Sequence, residues 1–156
     1  MRAARLRQPN PVAMDAMPPI LGTLVMVNLN GGAMVLDALD SVFAQTVADR
    51  LRVVVVDNAS GDGSAERIAQ RFGDRVRLIR APRNLGFAGG NNLGFREAEG
   101  RYLFLLNNDA VADSRWAEAL VAAAESDSRV GMCTSKIVAA DAPGCIDCVG
   151  HLLYPD

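Results

Sequence analysis

Apolar residues fall along this chain in two alternating rhythms. Short unbroken runs have the pattern of strands buried on both faces. Between them, apolar positions recur three to four residues apart, as in helices. Ile20 to Val27 is the first run, closed by Asn28-Leu29-Asn30-Gly31-Gly32. Leu36, Leu39, Phe43 and Val47 mark the inner stripe of a helix. Leu51 to Val56 is a second strand, closed by Asp57-Asn58-Ala59-Ser60. Gly61-Asp62-Gly63 turns the chain, with Asp62 the expected N-cap of a helix that buries Ile68, Ala69 and Phe72. Val76 to Ile79 predicts a short third strand. Arg83 to Asn92 reads as a glycine-rich loop leading into a helix that runs to about Glu99. Leu103 to Leu106 is the fourth run, expected to be covered on both faces, and Asn107-Asn108-Asp109 ends it. Asp113 is placed to cap a helix through Trp116, Leu120 and Ala124, and Val130 to Val138 is expected to be extended.

Strands alternating with helices imply an α/β fold, a mostly parallel sheet flanked by helices with right-handed crossovers. The carboxyl ends of such strands share one edge, and ligands bind outside that edge. The clusters at 28–32, 57–60, 83–92 and 107–109 are therefore predicted to converge.

Composition narrows the picture. A chain of 156 residues suits one domain with a real core. Its 50% hydrophobic and 22% charged residues place it among globular chains rather than disordered ones. A net charge of −2 gives no bulk basic field for nucleic acid. Lys136, the only lysine, follows Ser135, which excludes a phosphate loop whose Lys must follow Gly. Cys133, Cys145 and Cys148 are an odd set, which favours a reduced compartment. The pair Cys145 and Cys148 lacks partners for zinc, since His151 is the only histidine, so packing is the expected role of the cysteines. No apolar run is long enough to cross a bilayer. Residues 1–19, with Arg2, Arg5 and Arg7 and then Pro9, Pro11, Pro18 and Pro19, read as a flexible leader and not a signal peptide. Met14 and Met17 are alternative starts.

Each cluster permits particular chemistry. Asp109, at a strand end, is suited to hold a divalent cation against a phosphate-bearing ligand, or simply ends the strand with Asn107 and Asn108. Asp57 is suited to accept from the imide N–H of uracil or thymine, or to cap the turn at 58–63. Gly86, Gly89 and Gly90 allow backbone to approach a ligand, with the following N–H groups facing phosphate, or serve tight turns. Arg83 is a candidate to neutralise a diphosphate. Asn91 and Asn92 offer amides to a ligand or cap the helix, and Trp116 is read as a core or interface residue.

Four motifs in order carry a family resemblance: VNLNGG at 27–32, VDNASGDGS at 56–64, RNLGFAGGNNLG at 83–94 and LLNND at 105–109. Together they resemble glycosyltransferase family 2, and within it the rhamnosyltransferase-like branch, over roughly residues 20–156. The resemblance implies a Rossmann-like GT-A nucleotide-sugar-binding fold, here incomplete. It implies that the first two clusters hold the nucleoside through Val27, Asn28, Asn30, Asp57, Asn58 and Ser60, with Asp57 on the base. Asn84, Gly86, Gly89, Gly90 and Asn91 would lie along the nucleotide-sugar with Asn107 and Asn108. Asp109 would match the last position of an Asp-x-Asp motif for Mg²⁺ or Mn²⁺.

Two positions depart from the family pattern. Leu29 stands where an aromatic residue is usual, and Asn107 where many members have Asp. The resemblance also implies that the catalytic base and acceptor surface follow residue 156, so that this chain is the donor-binding half and inactive alone. The implied reaction is inverting transfer of a sugar from dTDP-rhamnose or a UDP-sugar to a glycan or lipid-linked acceptor. Its expected setting is the cytoplasm, with peripheral contact at the inner face of the plasma membrane left open. The alternative from another class is a non-catalytic nucleotide-sugar-binding module. A Rossmann dehydrogenase fits poorly, because the first turn reads Asn-Leu-Asn-Gly-Gly rather than G-x-G-x-x-G. An α/β-hydrolase is excluded by the absence of G-x-S-x-G.

Overall fold

The computed structural model describes residues 19–142 and 144–148; the leader up to residue 18, and His151 with its neighbours, lie outside them. Ten elements follow in order: β1 (Gly22–Asn28), α1 (Met34–Phe43), β2 (Leu51–Asp57), α2 (Ser64–Phe72), β3 (Arg77–Arg80), α3 (Gly86–Phe95), β4 (Tyr102–Leu105), α4 (Trp116–Glu125), β5 (Ile137–Val138) and β6 (Ile146–Cys148). The first four strands form one sheet in the order β3-β2-β1-β4, parallel throughout. This is the α/β architecture that the alternating pattern predicts.

Side chains alternate across a strand, so each strand feeds two faces. On one face Leu24 and Met26 of β1 pack with Val53 and Val55 of β2, Phe104 of β4, Val35, Leu39 and Val42 of α1, and Ile68 and Phe72 of α2. On the other face Val25, Val54 and Val56 meet α3, with Leu93 and Phe95 beside them. All seven Val, Leu and Met residues just named on β1 and β2, apart from Val53 at 3%, show no exposure at all. At about 25 cal/mol per Å² of apolar surface removed from water, these two strands are the main favourable term of the sheet.

The helices correct several expectations in detail. On α1 the buried residues are Val35, Ala38, Leu39 and Val42, with Leu36 and Phe43 at the margin. The apolar stripe is thus centred between the expected positions, and Val47 lies past the helix. On α2 Ala65 is buried and Ala69 exposed, because Ala65 shares the inner face with Ile68 and Phe72. The N-cap of α2 is Gly63, at φ 75°, not Asp62. The Asp62 carboxylate still serves that helix end, accepting from Ser64 N at 2.9 Å and Ser64 Oγ at 2.6 Å. Asp113 likewise sits outside its helix and accepts from Arg115 N at 2.9 Å.

The largest difference is α3. The expected glycine loop is helix from Gly86 onward, and the helix ends at Phe95, short of Glu99. Helix propensity is poor with four glycines in GFAGGNNLGF. Contact with the sheet explains two of them, Gly90 and Gly94. A Cβ on Gly90 would lie 2.8 Å from Val27 Cγ1, and one on Gly94 only 2.4 Å from Val25 Cγ1. The glycines let α3 lie directly on β1.

The fourth strand is covered on one face only. Phe104 is buried beside Trp116, at 5.8 Å between ring centres, whereas Leu103 and Leu105 are each 46% exposed. β4 is the edge of the sheet, and α3 sits over β1 and β2 instead. Of the stretch 130–138, only Ile137–Val138 is strand, paired antiparallel with β6. Trp116 is a half-buried packing residue, and its Nε1 donates to Ser135 Oγ at 2.9 Å. Cys133 is half-buried and Cys145 exposed, so neither packs in the core as expected. Among the described residues no helix is long and apolar enough to cross a membrane.

Candidate functional site

The carboxyl ends of the strands bring the four polar clusters together. Asn28 and Asp57 are register partners at the ends of β1 and β2. Alternation puts both side chains on the face of α1 and α2. There Asn28 Nδ2 lies 3.1 Å from Asp57 Oδ1, 3.1 Å from Ser60 Oγ and 2.8 Å from Ser64 Oγ. Its Oδ1 accepts from Asn108 Nδ2 at 3.2 Å. Asn28 is fully buried and Asp57 nearly so. Asp57 Oδ2 also accepts from Ser60 N at 3.3 Å. This network lies beneath the strand ends and ties three clusters into one unit. Gly31 makes room for it, since a Cβ there would stand 2.4 Å from Asn28 Oδ1.

The loops above the network are strapped to each other. Asn30 N donates to Ser60 Oγ at 3.0 Å, and Gly61 N to Asn30 Oδ1 at 2.9 Å. Gly32 N donates to Asp62 Oδ2 at 2.9 Å. Hydrogen bonds from the Ser64 hydroxyl and backbone lead the causes that hold the Asp62 carboxyl at about 2, with the Gly32 N–H and Arg67 adding to them. Asn30 and Ala59 adopt positive φ, 53° and 68°. For Ala59 that conformation carries strain, which the surrounding bonds hold in place.

The residue after Asp57 points the other way, toward α3. Asn58 Oδ1 accepts from Leu85 N at 2.8 Å, while its Nδ2 donates to Asn84 Oδ1 at 2.9 Å and Gly86 O at 3.3 Å. Asn84 Oδ1 accepts in turn from Gly86 N at 2.8 Å. These bonds fix the start of α3 over the end of β2.

Between these elements lies a cleft of about 380 Å³, lined by Val27, Leu29, Asn58, Asn84, Gly86, Phe87, Asn107, Asn108 and Asp109. That volume suits a small ligand. A groove of about 540 Å³ lies at the opposite edge, at the amino ends of β2 and β3, and holds none of the four clusters. The strand-end cleft is where the chemistry gathers.

The expected site residues therefore divide. Val27, Asn58, Asn84, Gly86, Asn107, Asn108 and Asp109 line the cleft. Asn28, Asp57 and Ser60 form the network beneath it, and Asn30 straps the loops. Gly89 and Gly90 are helical, and Asn91 turns its amide back to Phe87 O at 3.0 Å. Arg83 is exposed, precedes the lining residue Asn84 without lining the cleft itself, and makes no ion pair among the described residues. Leu29, one of the two departures from the family pattern, also lines the cleft; Phe87 does so without having been assigned, since an exposed aromatic inside a helical segment carries no signal in sequence.

Asp109 is exposed in the turn after β4, and among the described residues it is the one carboxylate on the cleft wall. The segment that follows is pinned to α1. Gln45 Nε2 donates to Asp113 O at 2.7 Å, its Oε1 accepts from Ala117 N at 2.9 Å, and Ala112 N donates to Ser41 Oγ at 3.0 Å. Among the described residues no three His, Cys, Asp or Glu side chains gather into a metal cage. A single carboxylate fits Mg²⁺ or Mn²⁺ when phosphate oxygens and water complete the shell.

A glycosyl transferase family 2 model matches residues 23–143, which span the sheet, the cleft and Asp109. The chain belongs to glycosyl transferase family 2. Its relatives include the succinoglycan biosynthesis protein ExoO of Rhizobium meliloti, 36% identical over 100 residues, or 64% of this chain and 28% of that protein. A cholesterol galactosyltransferase of Borreliella burgdorferi is 29% identical over 104 residues, 65% of this chain and 27% of that protein. Among solved structures, the Pyrobaculum calidifontis mannosyltransferase PcManGT, in complex with GDP-Man and Mn²⁺, superposes with a TM-score of 0.63. It is 28% identical, over 76% of this chain and 36% of that one. S. aureus TarS 1-349 in complex with UDP-GlcNAc shares the fold at a TM-score of 0.59 and 20% identity, over 66% of this chain and 30% of that one. The four-stranded parallel sheet with flanking helices is that of GT-A transferases. This family 2 chain spans between 27% and 36% of the length of these relatives.

Proposed function

We propose that this chain is the donor-binding part of a glycosyltransferase and takes a nucleoside-diphospho-sugar in the strand-end cleft. The observation that carries this reading is the meeting of all four polar clusters at one edge, with α3 opening onto the cleft and Asp109 on its wall. The backbone N–H groups at the start of α3 suit phosphate oxygens. Exposed Arg83 lies at hand for the same charge. The solved complex of the mannosyltransferase with GDP-Man and Mn²⁺ supports this class of donor.

Within this reading each residue has a task. Asn84 would present its exposed amide to a bound nucleoside, with the buried Asn58 holding it in place. Asp57 and Asn28 hold the strand ends from beneath, and each Asp57 oxygen accepts one bond and keeps acceptor capacity for the imide N–H of a base. Asp109 would hold Mg²⁺ or Mn²⁺ against the diphosphate, where the ion supplies charge neutralisation of the leaving nucleotide. dTDP-rhamnose or a UDP-sugar is the donor that the motif resemblance favours, with a glycan or lipid-linked acceptor and inversion at the anomeric carbon.

A second reading rests on one observation. Among the described residues Asp109 is the one carboxylate lining the cleft, and deprotonating an acceptor needs a base within about 2.6–3.2 Å of its hydroxyl. By itself this chain then binds donor without transferring sugar. Crystals grown with UDP and MnCl₂ test the placement. The proposal expects the diphosphate between the start of α3 and Asp109; nucleotide bound elsewhere contradicts it.

A further inference from the structure

We propose that Phe87 is a nucleotide-binding residue of the donor site, an aromatic platform on which the nucleobase stacks. The inference rests on the donor-site reading above and names a residue that this reading leaves without a task.

Phe87 is 64% exposed, in the first turn of α3, and among the described residues is the only aromatic one lining the cleft. Leu29 is the other exposed apolar side chain of the cleft, at 40%. A solvated phenyl ring on a mobile loop would be ordinary surface. The backbone around this ring is instead held on every side. Gly86, just before it, adopts φ 72°, donates through its N–H to Asn84 Oδ1 at 2.8 Å and accepts through its carbonyl from Asn58 Nδ2 at 3.3 Å. The carbonyl of Phe87 itself accepts from the buried Asn91 Nδ2 at 3.0 Å. Three side-chain amides thus fix the segment that displays one apolar ring. A platform held before the ligand arrives loses little freedom on binding.

The chemistry of the ring selects its partner. A phenyl face has nothing to offer a diphosphate, but it stacks on a flat heteroaromatic ring. Phe87 is also the direct neighbour of Gly86, whose carbonyl is bound by Asn58, so the ring shares one cleft wall with Asn58 and Asn84. Leu29 supplies a second apolar surface in the same cleft. Sequence-tolerant stacking of this kind contributes strength and leaves the choice among bases to the neighbouring amides.

The test compares the 156-residue chain with Phe87→Ala and Phe87→Trp, titrated with UDP, GDP and inorganic pyrophosphate in the presence of Mn²⁺. Phe87→Ala is expected to weaken both nucleotides about tenfold and leave pyrophosphate unchanged. Phe87→Trp is expected to keep nucleotide affinity, with its added fluorescence quenched by UDP or GDP and not by pyrophosphate. Equal nucleotide affinity in wild type and Phe87→Ala would overturn the assignment and leave the donor site standing. Equal losses for nucleotide and pyrophosphate would also overturn it, by reducing Phe87 to a support for the helix start. A wild-type chain that binds none of the three would overturn the donor-site reading, and the platform with it.

Discussion

The side-chain amide of Asn108 donates to Asn28 Oδ1 at 3.2 Å, across a separation of 80 residues in the chain. This bond joins the end of β4 to the end of β1, and Asn28 passes the connection on to Asp57, Ser60 and Ser64. The strand that carries Asp109 is therefore locked in position relative to the strands that carry Asn58. Among the described residues no buried side-chain N or O lacks a partner, so the network is complete without a ligand.

Asn28→Ala is expected to be among the most damaging substitutions outside the apolar core. It leaves the buried Asp57 Oδ1 without its donor and opens a gap beside Gly31. The expected loss is about 3 kcal/mol, the upper end of the cost of a buried group left unpaired. Urea unfolding measures it as a lower midpoint with an unchanged slope.

Gly94→Ala separates helix propensity from packing. On an exposed helix this change would stabilise by roughly 0.5–1 kcal/mol. Here the new Cβ stands 2.4 Å from Val25 Cγ1 and 3.3 Å from Val56 Cγ2, both in the core under α3. The expected outcome is a net loss of about 1–3 kcal/mol from overpacking. A thermal midpoint at or above that of wild type would show that α3 moves away from the sheet easily.

Asp62 links the site's loops to pH. Its carboxyl is lowered from 3.8 to about 2 in the folded chain. A depressed carboxyl stabilises the fold fully above its unfolded value and loses that contribution as pH falls through the folded value. The stability difference between wild type and Asp62→Ala should accordingly be steady at neutral pH, shrink below about pH 4 and vanish below about pH 2. Urea titrations at a series of pH values check this, and a difference that persists at the acid end would contradict it.

Much of the architecture was legible because buried strands are written in unbroken apolar runs. Leu24 to Met26 and Val53 to Val56 could not be mistaken, and the polar residues that end them mark the ligand edge. What the sequence concealed depended on partners distant in the chain. Gly90 looks like a loop residue until Val27 is placed against it, and the glycine at 94 has no evident reason until Val25 is. Leu103 and Leu105 read as doubly covered, yet β4 is an edge strand whose second face α3 does not reach. Asp57 and Asn58 were known to end a strand, but which of them faces the cleft is decided by the side of the sheet on which α3 packs.

The central claim is that the strand-end cleft binds a nucleoside diphosphate with the help of a cation at Asp109. Calorimetric titration of UDP, dTDP and GDP into wild type and Asp109→Asn, with and without Mn²⁺, tests it most directly. The account predicts that Mn²⁺ strengthens nucleotide binding to wild type and that Asp109→Asn abolishes this gain without lowering thermal stability. A gain of the same size in the variant, or no nucleotide binding by wild type in either condition, would contradict it.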